Sequence, residues 1–69
     1  MAVKYKGILK QGDTYGNRKG DIVKVVSITR GQNTWDVTLL YPNNDNFEET
    51  MPCYDFEKLI HQYKWKKIQ

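Results

Sequence analysis

The residues of this chain that could do chemistry are few, and their spacing narrows the choice. There is one serine (Ser27), one histidine (His61) and one cysteine (Cys53). Ser27 lies inside the run "DIVKVVSITR", far in pattern from His61, so no serine triad assembles from them. Cys53 and His61 are nearer, and Cys53 stands just before a helix start, where the helix dipole can lower a thiol pKa. Nothing else in that segment looks like a substrate pocket, so the expectation is a structural cysteine, with His61 on the surface of a helical turn. An internal zinc site needs about four nitrogen or sulfur ligands, and these two residues fall short. "NNDNFEE" gathers Asp45, Glu48 and Glu49 as oxygen ligands, but not at the spacing of a helix-loop-helix calcium site. "YGNRKGD" lacks the spacing of a phosphate-cradling glycine loop. No catalytic residue, metal-ligand set or cofactor is singled out, and a non-enzymatic protein is expected.

Charge and aromatic residues carry what remains. The net charge is +3, distributed in blocks: residues 1–34 sum to +5, residues 35–57 hold six acids and no base, and residues 58–69 sum to +4. The acidic middle either folds onto the basic ends and is largely neutralised there, or leaves a bipolar surface with two binding faces. The closing stretch "HQYKWKKIQ" interleaves Tyr63 and Trp65 with Lys64, Lys66 and Lys67. Lysines for phosphates and aromatic rings for bases are the parts of a nucleic-acid grip. The same alternation also describes a last strand with its aromatics in the core and its lysines in water, which protects an edge.

Sixty-nine residues make one domain spanning 1–69, near the lower limit at which burial can offset the entropy of ordering. The start of the chain has no apolar stretch of a secretory signal, no apolar run approaches the roughly 20 residues of a membrane span, and a lone cysteine suits a reducing compartment. A cytoplasmic location is expected.

Period-2 patterning predicts the elements that must position these residues. Val3, Tyr5, Gly7 and Leu9 alternate with Lys4, Lys6, Ile8 and Lys10 as a first strand. "QGDTYGNRKGD" is turn chemistry and reads as the longest loop, anchored by Tyr15. The β-branched run in "DIVKVVSITR" and the alternation in "WDVTLLY" predict two strands joined by the polar turn Gly31–Thr34. Folding them about that turn sets Ile28 opposite Val37 and Val26 opposite Leu39, with these four in the core. Val23, Val25 and Leu40 then fall on the other face, covered either by the helical turn of Leu59 and Ile60 or by a partner. "FEETM" reads as a short strand stopped by Pro52, residues 56–62 as one or two helical turns capped by Asp55, and "YKWKKI" as the closing strand.

In "KGDIVKVVSI", "WDVTLLY" and "DFEKLIHQYKWKKI", about two thirds of the chain, this pattern resembles the SH3-like small barrels. The resemblance implies a mainly β fold, a small SH3-like barrel of about five short strands with one short helical turn before the last. Such barrels are frequent among ribosomal, transcription-associated and phage-encoded proteins, and the Lys-, Asn-, Ile- and Tyr-rich character resembles a small phage or prophage protein. The stretches that mark proline-peptide binding are missing, so that ligand is not implied, and a fold-level likeness does not carry a function. Two functions are expected. The first is a protein-interaction module that docks on a host protein, or on its own copy, through Val23, Val25 and Leu40. The alternative is weak, sequence-nonspecific nucleic-acid binding through Lys4, Lys6, Lys64, Trp65, Lys66 and Lys67.

Overall fold

The structure, a computed structural model, describes residues 5–69. Five antiparallel strands form one sheet: β1 (Thr14–Gly16), β2 (Ile22–Arg30), β3 (Trp35–Tyr41), β4 (Phe47–Pro52) and β5 (Lys66–Lys67), in the order β4-β3-β2-β1-β5. One helix, α1 (Cys53–Gln62), precedes β5 and packs against β3 and β4. The fold is mainly β, as expected, but the sheet is open, with β4 and β5 at its two edges.

The β2–β3 hairpin forms where the alternation placed it, and Ile28 does face Val37. Below that pair the register differs. The ladder shifts between Val25 and Ser27, so Val25, not Val26, lies opposite Leu39, and Val26 is the extra residue of a β-bulge. One inserted residue inverts the phase of everything before it. Val23 and Val25 therefore turn inward, to lie with Val37 and Leu39 in the core, while Val26 is 39% exposed and Val25 only 1%. The expected core position of Val26 and the expected surface positions of Val23 and Val25 are exchanged by that bulge. Leu40 keeps its place on the outer face, half-buried between Lys24 and Glu48.

The core is completed by Leu9, Tyr15 and, from the helix, Cys53, Phe56 and Ile60. Tyr15 meets Phe56 edge to face at 5.7 Å between ring centroids, which ties the three-residue strand β1 to the helix. Phe56 and Ile60 are one helical turn apart and so share the face that covers the sheet. The helix starts three residues earlier than expected, after Pro52, and Asp55 lies in its first turn without capping it. Pro52 closes β4 and opens the helix without an N–H that would otherwise lack a partner.

The N-terminal segment departs most from expectation. Residues 5–10 form no strand, and the part of the expected strand at Val3 and Lys4 lies outside the described residues. Tyr5 and Leu9 nevertheless pack inward. The first strand is instead Thr14–Gly16, inside the predicted loop, where it is held on both sides: Tyr15 pairs with Val23 of β2 and Lys67 of β5, and Gly16 with Ile22 and Lys66. A three-residue stretch too short to hold a strand by itself is extended because two neighbours supply its hydrogen-bond partners.

The bulge sets a direct test. Val25→Thr buries a hydroxyl among apolar side chains and is expected to cost about 1–3 kcal/mol, whereas Val26→Thr should stay within about 0.5 kcal/mol of the parent. Leu39→Ala should cost about 2–5 kcal/mol, close to the stability of a domain this small. Urea titrations of the three variants check the order; equal effects at 25 and 26 would place the bulge elsewhere.

Candidate functional site

Two ends of the molecule gather side chains with chemical capacity. The first surrounds Cys53. Its thiol is buried, and burial, followed by the carboxylates of Glu57 and Asp36, pushes its pKa up. That is the opposite of what a nucleophilic thiol requires. Beside it, the Tyr5 hydroxyl donates to Glu57 Oε2 at 2.6 Å and accepts from the Leu9 N–H at 3.3 Å, and the Tyr5 ring meets Trp35 edge-on at 6.3 Å. Gly7 lies so close that a β-carbon there would overlap the Tyr5 hydroxyl. This end is a latch for the N-terminal segment, built by closing a hydrogen bond across 52 positions of sequence. Lys6 is exposed on that segment, and Lys4 lies outside the described residues.

The second end is a groove of about 770 Å³ between the β1–β2 hairpin and the junction of α1 with β5. The hairpin is shaped by one side chain. Asn17 Oδ1 accepts the N–H groups of Lys19 and Asp21, each at 3.0 Å, and the Gly20 N–H donates to the Asn17 carbonyl at 3.1 Å. Gly20 takes φ +87°, the left-handed position that follows a type I turn in a three-residue hairpin loop. Arg18 and Lys19 are thereby presented at the tip, exposed.

The other wall comes from the helix terminus. The Trp65 N–H donates to the Ile60 carbonyl at 3.0 Å across Lys64, which takes φ +57°. This is the wide reverse turn that ends many helices, with lysine where glycine is usual. It turns Lys64 out to solvent and lays Trp65 partly buried against the core. Residues 63–65 are therefore a helix cap and not the start of the expected strand, which is why Tyr63, expected inside, is 58% exposed. Only Lys66 and Lys67 are strand. Lys66 joins the groove, while Lys67 turns to the other side and pairs with Asp13 Oδ1 at 3.3 Å.

Of the predicted nucleic-acid residues, Lys64, Trp65 and Lys66 come together here, and Lys6 and Lys67 lie elsewhere. Arg18 and Lys19 were missed. The signal that could have found them is "GNRKGD" itself, an Asn-to-Gly turn carrying two bases at its tip. Trp65 and Asp21 line the groove and both adjoining hollows. Four cations, Arg18, Lys19, Lys64 and Lys66, surround them against the single carboxylate of Asp21. Glu48 and Glu49 lie on β4, at the opposite edge of the sheet from Lys66, whereas Asn43 and Asn44 of the loop before β4 line the hollow beside Trp65. Asp45 and Asn46, at φ +55° and +56°, make the tight turn into β4. No group of three or more His, Cys, Asp or Glu side chains suited to a metal ion occurs among the described residues.

The apolar protein-docking set is not a surface. Val23 and Val25 are core, and Leu40 alone remains on the outer face. No helix among the described residues is long and apolar enough to cross a membrane. No protein-family model, curated protein or solved structure matches the chain.

Two expectations follow from this geometry. Burial, then the hydrogen bond to Glu57, raises the Tyr5 phenol far above its ordinary value. The folded state thus favours the neutral phenol, and the stability this confers is complete below pH about 10 and is lost as pH rises above it. Tyr5→Phe should cost about 1 kcal/mol at neutral pH and flatten the alkaline loss of stability, as read from urea midpoints across that range. Lys64→Gly, which removes a β-carbon from a left-handed residue, should raise stability by about 1 kcal/mol in the same measurement.

Proposed function

We propose that this chain is a non-enzymatic binding module that holds nucleic acid, without sequence preference, in the groove between the β1–β2 hairpin and the α1–β5 junction. The observation that carries the reading is the convergence there of Arg18, Lys19, Lys64 and Lys66 around Trp65, from segments more than forty positions apart in sequence. Cations at that density bind phosphates by releasing counterions, and an accessible indole gives bases a stacking surface. The separation of charge supports it further, because a polyanion bound at the β5 edge is kept away from the acids of β4.

A second reading rests on a different observation. Among the described residues β4 is an edge strand of six residues with Phe47 49% exposed, and an edge of that length can accept a strand from a protein partner. A module that docks on a host protein, or on its own copy, would use this edge and not the set Val23, Val25 and Leu40. The likeness to SH3-like barrels is supported by five strands, by a helix directly before the last strand and by the return of that strand to β1. The tight β1–β2 hairpin and the open sheet depart from it.

Salt separates the two readings. Lys64→Ala combined with Lys66→Ala should leave the fold intact, weaken oligonucleotide binding and reduce its logarithmic salt slope by about one to two units, while Lys6→Ala changes neither. Absence of binding at low salt would sink the nucleic-acid reading. A partner retained on the tagged protein after nuclease treatment and moderate salt, and lost on Phe47→Asp, would favour the strand-addition reading.

A further inference from the structure

We infer that the groove takes a single strand, with one base laid on Trp65 and its neighbouring phosphates held at the rim by Arg18 and Lys64. The inference rests on the nucleic-acid reading above and adds the form of ligand that the groove selects.

The interior and the rim of the groove differ in kind. Trp65 and Asp21 are the two residues shared by the groove and both hollows beside it, so they lie at its centre, Trp65 half-buried and Asp21 exposed beside it. The cations stand around them: Arg18 and Lys19 at the exposed tip of the hairpin, Lys64 thrown outward by its left-handed backbone, and Lys66 on the edge strand. A phosphate driven inward would meet the Asp21 carboxylate, which the Asn17 side-chain amide holds at 3.2 Å and the hairpin keeps in place. Phosphates are therefore favoured at the rim and repelled from the interior. What suits the interior is an uncharged, flat group with N–H donors on its edge: an aromatic face for Trp65 and a donor for Asp21. A nucleobase has both. The volume, about 770 Å³, is in the range of sites that enclose small ligands, and Ile22, Ile60 and Ile68 supply its apolar lining.

A duplex cannot offer this group without breaking a pair. Its bases are stacked on one another and its phosphates form the outer surface, so it would reach only the rim unless a base were unstacked and turned out. A single strand has its bases free. The selectivity is thus built from position: cations around the rim, with the half-buried indole and the Asp21 carboxylate between them. Tyr63, exposed and two residues from Trp65, offers the adjoining base a second ring at the rim.

The test uses the full chain with Trp35→Phe, so that the emission observed is that of Trp65. Three probes of about 12 nucleotides are compared at low salt: a deoxyadenosine strand, the same strand in a duplex, and an abasic phosphodiester of equal length. The single strand should quench Trp65 and bind about tenfold tighter than the other two, and Trp65→Leu, whose binding is read from the anisotropy of end-labelled probes, should erase that margin while leaving abasic binding unchanged. Far-UV spectra of each variant separate loss of the ring from loss of the fold. If Trp65→Leu does not fold, Asp21→Asn, which keeps the ring, should narrow the margin without weakening abasic binding. Equal affinities for all three probes with unquenched Trp65 would overturn the single-strand inference and leave the polyanion reading standing. No binding by any probe would overturn both.

Discussion

One extra residue in β2 decides which face of this protein is its inside. With Val26 pushed out of the ladder, Val23 and Val25 lie with Val37 and Leu39 beneath α1. Without the bulge, the same strand would put Val26 inward and leave Val23 and Val25 in water, which is the register that simple alternation favours. The bulge is stabilised by what it buries: two nearly inaccessible valines exchanged for one exposed valine. A bulge also increases local twist, and α1 packs against β3 and β4. A sheet of five strands with one helix over it has little core to spare, so the choice of face reaches every other element.

The parts legible in the sequence were those in which local pattern and tertiary demand agree. The alternation Trp35, Val37, Leu39, Tyr41 reports the core face of β3 because β3 is regular and paired on both sides. The strand expected at "FEETM" forms for the same reason, with Phe47, Glu49 and Met51 opposite Tyr41, Leu39 and Val37. β2 could not be read the same way. Val25-Val26 is a β-branched pair in which either residue can face inward, and only the facing strand decides between them. β1 was illegible for a different reason: Thr14-Tyr15-Gly16 is too short to show a period, lies among the turn residues of "QGDTYGNRKGD", and becomes a strand through the partners on its flanks. The closing segment misled by its regularity. Tyr63, Trp65 and the lysines alternate as a strand would, yet the first three positions end the helix, because the Trp65 N–H finds the Ile60 carbonyl and Lys64 accepts a left-handed backbone to allow it.

That same cap is what makes the candidate site. The candidate residues nearest each other in sequence, Lys64, Trp65 and Lys66, were visible as a cluster, but the role of each depended on which way the cap and edge strand turned it. A continuous strand would have put Lys64 and Lys66 on one side and Trp65 on the other. The cap instead sends Lys64 outward over a half-buried Trp65, and β5 pairing with β1 brings in Arg18 and Lys19 from the hairpin. Lys67, adjacent in sequence and equal in charge, is removed from the set because its strand phase directs it to Asp13.

The two edges of the sheet present opposite charges, and this bears on how an open sheet avoids pairing with itself. Among the described residues neither edge has a further strand beside it, and the backbone groups of an edge invite one. β5 is two residues long and carries lysines, a combination that discourages addition, while β4 is longer and carries Glu48 and Glu49. Two β4 edges brought together would set acids against acids, so association of like edges is opposed, whereas β4 against β5 would be attractive. The brevity of β5 limits the attractive arrangement to a few backbone hydrogen bonds. A nucleic acid occupying the β5 side would block it altogether. The feature that makes the groove a candidate site, cations crowded at one edge, would thus also make that edge the one whose occupation keeps the chain from adding to its own copies.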